Sequence, residues 1–143
     1  MSEEHQGSCV QPERGDDLYE SSASLRLACG PLVGPVLCRV VSMLLARANC
    51  PMDRLEDAMV VCDALSAHGP SYASDGHLAL AVSVRGRALE LRVGELTQSA
   101  ANQLVQDAVL PGVGNVLERM TNELRVEPAA DGGGEELVLG LLF

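Results

Sequence analysis

The groups with the strongest claim to chemistry are the Asp63 and Glu95 carboxylates and the backbone of Pro111-Gly112-Val113-Gly114-Asn115. Asp63 lies in Asp53–His68, where Leu55, Ala58, Met59, Cys62, Leu65 and Ser66 recur on one helical face. A short acid at the margin of such a stripe is either a solvated edge residue or a carboxylate pointing into a pocket. The bend with Gly112 and Gly114 precedes a second helical stripe, Val113, Val116, Leu117, Met120 and Leu124. Glycines that open a helix leave backbone N–H groups to meet an anion. The cysteines at 9, 29, 38, 50 and 62 are odd in number and form no Cys-x-x-Cys pair, so they suggest neither a zinc knuckle nor a disulfide framework. Cys62 reads as packed rather than reactive. Lysine is absent, which removes a Walker-type phosphate lysine and Schiff-base chemistry.

The elements that must position these groups fit in one domain: 143 residues, 47% of them apolar, are enough for a single core. A net charge of -10 with 2% aromatic residues argues against nucleic-acid binding, which rewards clustered cations and stacking platforms. A basic protein partner remains compatible. The start of the chain lacks the charged and apolar regions of a secretory signal. The longest apolar run, Pro31 to Ala48, is broken by Gly34, Pro35 and Arg39, so no membrane span is expected. With the cysteine usage, this predicts a reducing cytoplasm.

Residues 1–20 are polar and acidic and read as a disordered lead-in to a domain over 21–143. Ser22–Cys29 alternates as a half-buried strand does. Val33, Val36, Leu37, Val40, Val41, Leu44 and Leu45 then predict a core-facing helix, with Arg39, Met43 and Arg47 outward. Asp53 with Glu56 has capping-box spacing and predicts the start of the next helix. Leu78–Val84 and Leu89–Val93 predict a hairpin reversing at Arg85-Gly86-Arg87, and Ser99–Val109 has weaker helical character. Strands near Leu124–Val126 and Leu137–Phe143 follow, separated by a glycine-rich turn. The predicted class is α+β, a two-layer sandwich of a mostly antiparallel sheet with helices on one face.

The element order, the acid-bearing second helix, the Gly112-Val113-Gly114 turn and the closing Asn122-Glu123-Leu124-Arg125-Val126, Gly132-Gly133-Gly134, Leu137-Val138-Leu139 hairpin carry a resemblance. From about Ser22 to Phe143 the chain resembles the anti-sigma-factor serine kinases of the GHKL (Bergerat, histidine kinase-like ATPase) superfamily, which includes histidine kinases, gyrase and MutL. The resemblance implies their fold, with ATP and magnesium as cofactors. In that family the second helix reads roughly Glu-Ala-x-x-Asn, where the acid is the base and the amide oxygen ligates magnesium. Here Asp63-Ala64-Leu65-Ser66-Ala67 stands in its place, and Ala67 offers no oxygen to a hard cation. Ser66 or His68 would substitute only in a different register; His68 otherwise reads as a helix-end residue. The family's adenine motif, Asp-x-Gly-x-Gly, is met by Glu95-Leu96-Thr97-Gln98-Ser99, which keeps a carboxylate and neither glycine. Outside the resemblance, Glu95 is an ordinary charge after a strand. Gly112 and Gly114 match the phosphate turn, which outside the resemblance reads as a turn with a helix cap after Pro111, while Glu135 stands where a threonine helps to hold the phosphates.

The resemblance thus implies a nucleotide site of Asp63, Glu95, Gly112 and Gly114, with Asp63 as the base of any phosphoryl transfer. That chemistry depends on holding metal, phosphates and nucleophile in place, so the substitution at Ala67 weighs heavily against it. The favoured expectation is an anti-sigma regulatory factor-like protein that acts in bacterial transcription regulation by binding a sigma factor or a STAS-type antagonist, with a degenerate site. The alternative is an active ATP-dependent serine/threonine kinase of such an antagonist. A structural interaction domain with no signalling role is a third reading. A homodimer is also implied, using apolar positions between Val33 and Leu45.

Overall fold

The computed structural model describes residues 20–130 and 132–143, so most of the expected acidic lead-in, residues 1–19, lies outside the described residues. Alternating side chains build five strands of one sheet: β1 (Glu20–Ala28), β2 (His77–Arg85), β3 (Ala88–Leu96), β6 (Glu123–Pro128) and β7 (Glu135–Leu142). Their order is β1-β2-β3-β7-β6 and every neighbouring pair is antiparallel. A two-residue ladder, β4 (Val109–Leu110) with β5 (Gly114–Asn115), stands apart from the sheet. The helices are α1 (Val33–Arg47), α2 (Met52–His68), α3 (Ala100–Asp107) and α4 (Val116–Met120). This is the expected two-layer α+β arrangement with an antiparallel main sheet.

Period decides the layers. On β2 the even residues Leu78, Leu80, Val82 and Val84 are buried, and on β3 the odd residues Leu89, Leu91 and Val93 are buried in register beside them. They meet Leu37, Val41 and Leu45 of α1 and Ala58, Val61, Cys62 and Leu65 of α2 in one core, with no buried polar side chain among the described residues. Met43 of α1 is exposed, as its place on the outward side of the stripe predicts.

Two local expectations are corrected. Asp53 does not cap α2: the helix begins one residue earlier, Pro51 in extended conformation takes the N-cap, and no side-chain cap bond forms. Proline already fixes the entry angle, and Leu55 N–H donates to Pro51 O at 2.9 Å. The helix after the two-glycine bend is also shorter than its apolar spacing suggests. Val113 is exposed in the turn and Leu124 belongs to β6, so only Val116, Leu117 and Met120 of that stripe are helical.

The sheet face away from the helices carries a charged lattice. Arg92 on β3 donates to Glu136 at 2.8 Å, Glu127 at 3.2 Å and Glu90 at 3.3 Å, while Arg125 on β6 donates to Glu127 at 2.7 Å and also to Glu123. Val138, in register with both arginines, is fully covered on this face. Burial opposes the Arg92 charge, but its hydrogen bonds to the three glutamates outweigh it and raise its pKa. Hydrogen bonds from Arg125 and Arg92 hold the Glu127 carboxyl below its ordinary 4.5. A lowered carboxyl contributes stability that is complete above the unfolded value and is lost as pH falls through the folded one. Acid titration of the melting temperature is therefore expected to show a steeper loss below about pH 4.5 in the wild type than in Glu127→Gln. Parallel curves would contradict this role for Glu127.

Candidate functional site

Along α2, Val60, Asp63, Ala64, Ala67 and His68 fall at helical spacing beside the core stripe and form one wall of a groove. Ala108, Val109, Leu110 and Val116 form the other, and the space between is about 330 Å³. The β4–β5 ladder holds that second wall in place. Its turn needs left-handed backbone at Gly112 (φ 80°) and Gly114 (φ 92°), conformations open to glycine at little cost. Leu110 and Val116, on either side of the bend, therefore border the same groove as the acidic helix.

The N–H groups of Val113 in the bend and of Val116 and Glu118 in α4 are spent inside the fold. Val113 N–H donates to Leu110 O at 3.1 Å, Val116 N–H to Ala108 O at 2.8 Å, and Glu118 N–H to Asn115 Oδ1 at 3.1 Å. Asn115 Nδ2 donates to Val105 O at 2.7 Å, so one side chain caps α4 and ties it to α3. The sequence points to a helix cap after Pro111, and the structure assigns it to the Asn115 side chain, three places before Glu118 as in a capping box. Asn115→Ala is expected to lower stability by about 1–2 kcal/mol, measured by denaturant unfolding. A loss below about 0.3 kcal/mol, within the additivity error of such measurements, would contradict the double role.

Asp63 is exposed on the groove wall, and no ion pair reaches it among the described residues. Its Oδ1 accepts a weak S–H bond from Cys38 at 3.6 Å. Behind it Cys62 is fully buried, and the hydrogen bond to Cys38 together with burial pushes its thiol pKa up, as suits a packed cysteine. Ser66 Oγ donates back along the helix to Cys62 O at 2.9 Å and Asp63 O at 3.1 Å, so it is not turned toward the place beside Ala67. The groove thus offers one carboxylate and the His68 imidazole, a poor donor set for magnesium, which demands hard oxygens in near-octahedral array. Among the described residues, no three His, Cys, Asp or Glu side chains gather in a metal-holding group.

Glu95 is elsewhere. The β3–β7 register shifts between Val93 and Leu96, and Glu95 sits in this irregularity with φ 61°. Its carboxylate takes two hydrogen bonds from Arg26, at 2.6 and 2.9 Å, on the face of the sheet away from the helices. Asp75 joins them at 3.3 Å. The structure sets Asp63 across the groove from Leu110 and Val116, which flank the Gly112–Gly114 turn, while the glycines themselves do not line it and Glu95 lies apart. Glu135, read as the counterpart of a phosphate-holding threonine, accepts Ala101 N–H at 3.1 Å in the first turn of α3, where a negative charge is favoured.

No protein-family model matches the chain, and no curated protein does. What the groove does must be argued from its own side chains. Its lining is mostly apolar, and among the described residues no ion pair reaches its single acid.

Proposed function

We propose that the chain is a regulatory protein of the anti-sigma kind, built on a histidine kinase-like ATPase sandwich, that works by binding a protein partner and has lost phosphoryl transfer. The observation that carries this reading is Ala67. It occupies the groove wall one helical turn beyond Asp63, where the resembled family has a magnesium-ligating amide. The element order and the helix-covered antiparallel sheet support the resemblance at the level of architecture. The apolar groove wall and the use of Glu135 at α3 both weigh against a bound triphosphate. The kinase reading draws on Asp63, which lines the groove as a base would; without a metal ligand, that acid lacks the positioning on which phosphoryl transfer depends.

The partner class implied is a sigma factor or a STAS-type antagonist, met in the cytoplasm. No helix among the described residues is long and apolar enough to cross a membrane. Affinity capture with the full chain, with and without ATP and magnesium, tests the proposal. Recovery of a sigma factor or STAS protein to the same extent in both conditions is expected. Recovery of neither class, or capture only with ATP and magnesium, would count against it.

A further inference from the structure

Two large exposed apolar side chains line the α2 groove: Val109 is 56% exposed and Leu110 47%. The β4–β5 ladder holds them there, and no core residue requires their exposure. Across the groove from each other, Ala64 and Ala67 on one wall and Ala108 on the other leave room that larger side chains would fill. Asp63 stands in the α2 wall, where among the described residues the Cys38 thiol alone bonds its side chain, on a chain of net charge -10 whose field draws in cations.

We propose that this groove docks a short basic amphipathic segment of the protein partner. An apolar side chain of that segment rests between the alanines of the two walls, beside Val109 and Leu110, and an arginine or lysine pairs with Asp63. The inference rests on the partner-binding reading above and specifies the surface and chemistry it uses. A nucleotide suits the groove less well, since the lining supplies an anion and no arginine. An acidic segment, including another copy of this acidic chain, would meet repulsion at Asp63.

The probes are a short fluorescein-labelled peptide of leucines at helical spacing with arginines between them, and its twin with glutamates in place of the arginines. Anisotropy titrations use the full chain. The arginine peptide is expected to bind saturably, with affinity falling as salt rises, and the glutamate twin is expected not to bind. Asp63→Asn should weaken binding about fivefold, the size of an exposed ion pair. Asp53→Asn removes the same charge outside the groove and should leave affinity unchanged. Ala67→Leu and Val109→Ser, both at exposed positions, should each weaken it by at least as much as Asp63→Asn.

Equal binding of the twin peptides, equal effects of Asp63→Asn and Asp53→Asn, or no saturable binding would each overturn the proposal. So would self-association that Ala67→Leu abolishes, which would assign the groove to a second copy. Partner capture separates the two levels. A sigma factor or STAS protein recovered as well by Ala67→Leu as by the wild type would sink the groove proposal and leave the regulatory reading standing. Specific peptide binding without either partner class would do the reverse.

Discussion

Gly134→Ala is expected to destabilise the fold by about 3 kcal/mol, at the upper end of the cost of overpacking. A Cβ built on Gly134 would collide with Leu96 O, and that oxygen belongs to backbone fixed by the β3–β7 pairing. Neither side can yield cheaply, because Ala129 N–H also donates to Gly134 O at 2.9 Å and pins the turn. The third glycine of the Gly132-Gly133-Gly134 run is therefore explained by close passage of β7 beside the irregularity that holds Glu95. Gly30 is the control: nothing lies within 4 Å of its added Cβ, so Gly30→Ala should stay within about 0.5 kcal/mol of wild type. Urea unfolding of both variants measures the difference, and equal midpoints would contradict the close approach.

Leu139→Ala is expected to cost about 4 kcal/mol. Leu139 is fully buried on β7, between Leu91 of β3 and Leu124 of β6 in register, so the strand pairing on both sides resists collapse into the vacated space. Against a total stability of roughly 5–15 kcal/mol for a domain, the loss should move the urea midpoint far while leaving the slope unchanged. A loss under about 1 kcal/mol would mean that the sheet and helices do not meet there in a tight core.

Much of this core was legible because its periods are clean. The stripe of α2 and the alternation from Leu78 to Val93 each point to one buried face, and the structure buries those faces. Val61 was missed: it lies between the chosen stripe positions and is fully buried because the helix is covered over a broader arc. The spacing of Val113, Val116, Leu117, Met120 and Leu124 fits one helix, yet its two ends fall in a glycine turn and a strand. A period cannot tell where one element hands over to the next when the apolar residues happen to stay in phase.

The site was readable only in part, for a different reason. Asp63 drew notice as an acid beside an apolar stripe, and it lines a groove. The opposite wall comes from Val109, Leu110 and Val116, brought there by tertiary packing that α2's own sequence does not encode. Glu95 could not be assigned locally, since its partner Arg26 lies on β1, across β2. Gly94 inside a strand pattern was the available hint of an irregularity there. The bonds of Arg92 and Arg125 likewise depend on strand register, which their alternating charges do not specify.

Calorimetric titration of the full chain with ATP and magnesium, paired with melting curves, bears most directly on the claim that Ala67 leaves the groove unable to hold a nucleotide–metal complex. A site with ligand at a hundred times its Kd would be stabilised by about 2.7 kcal/mol, a shift of several degrees for a domain of this size. The expected result is no saturable heat and no such shift at millimolar ATP. Micromolar, magnesium-dependent binding that Asp63→Asn abolishes would contradict the claim and restore the kinase reading.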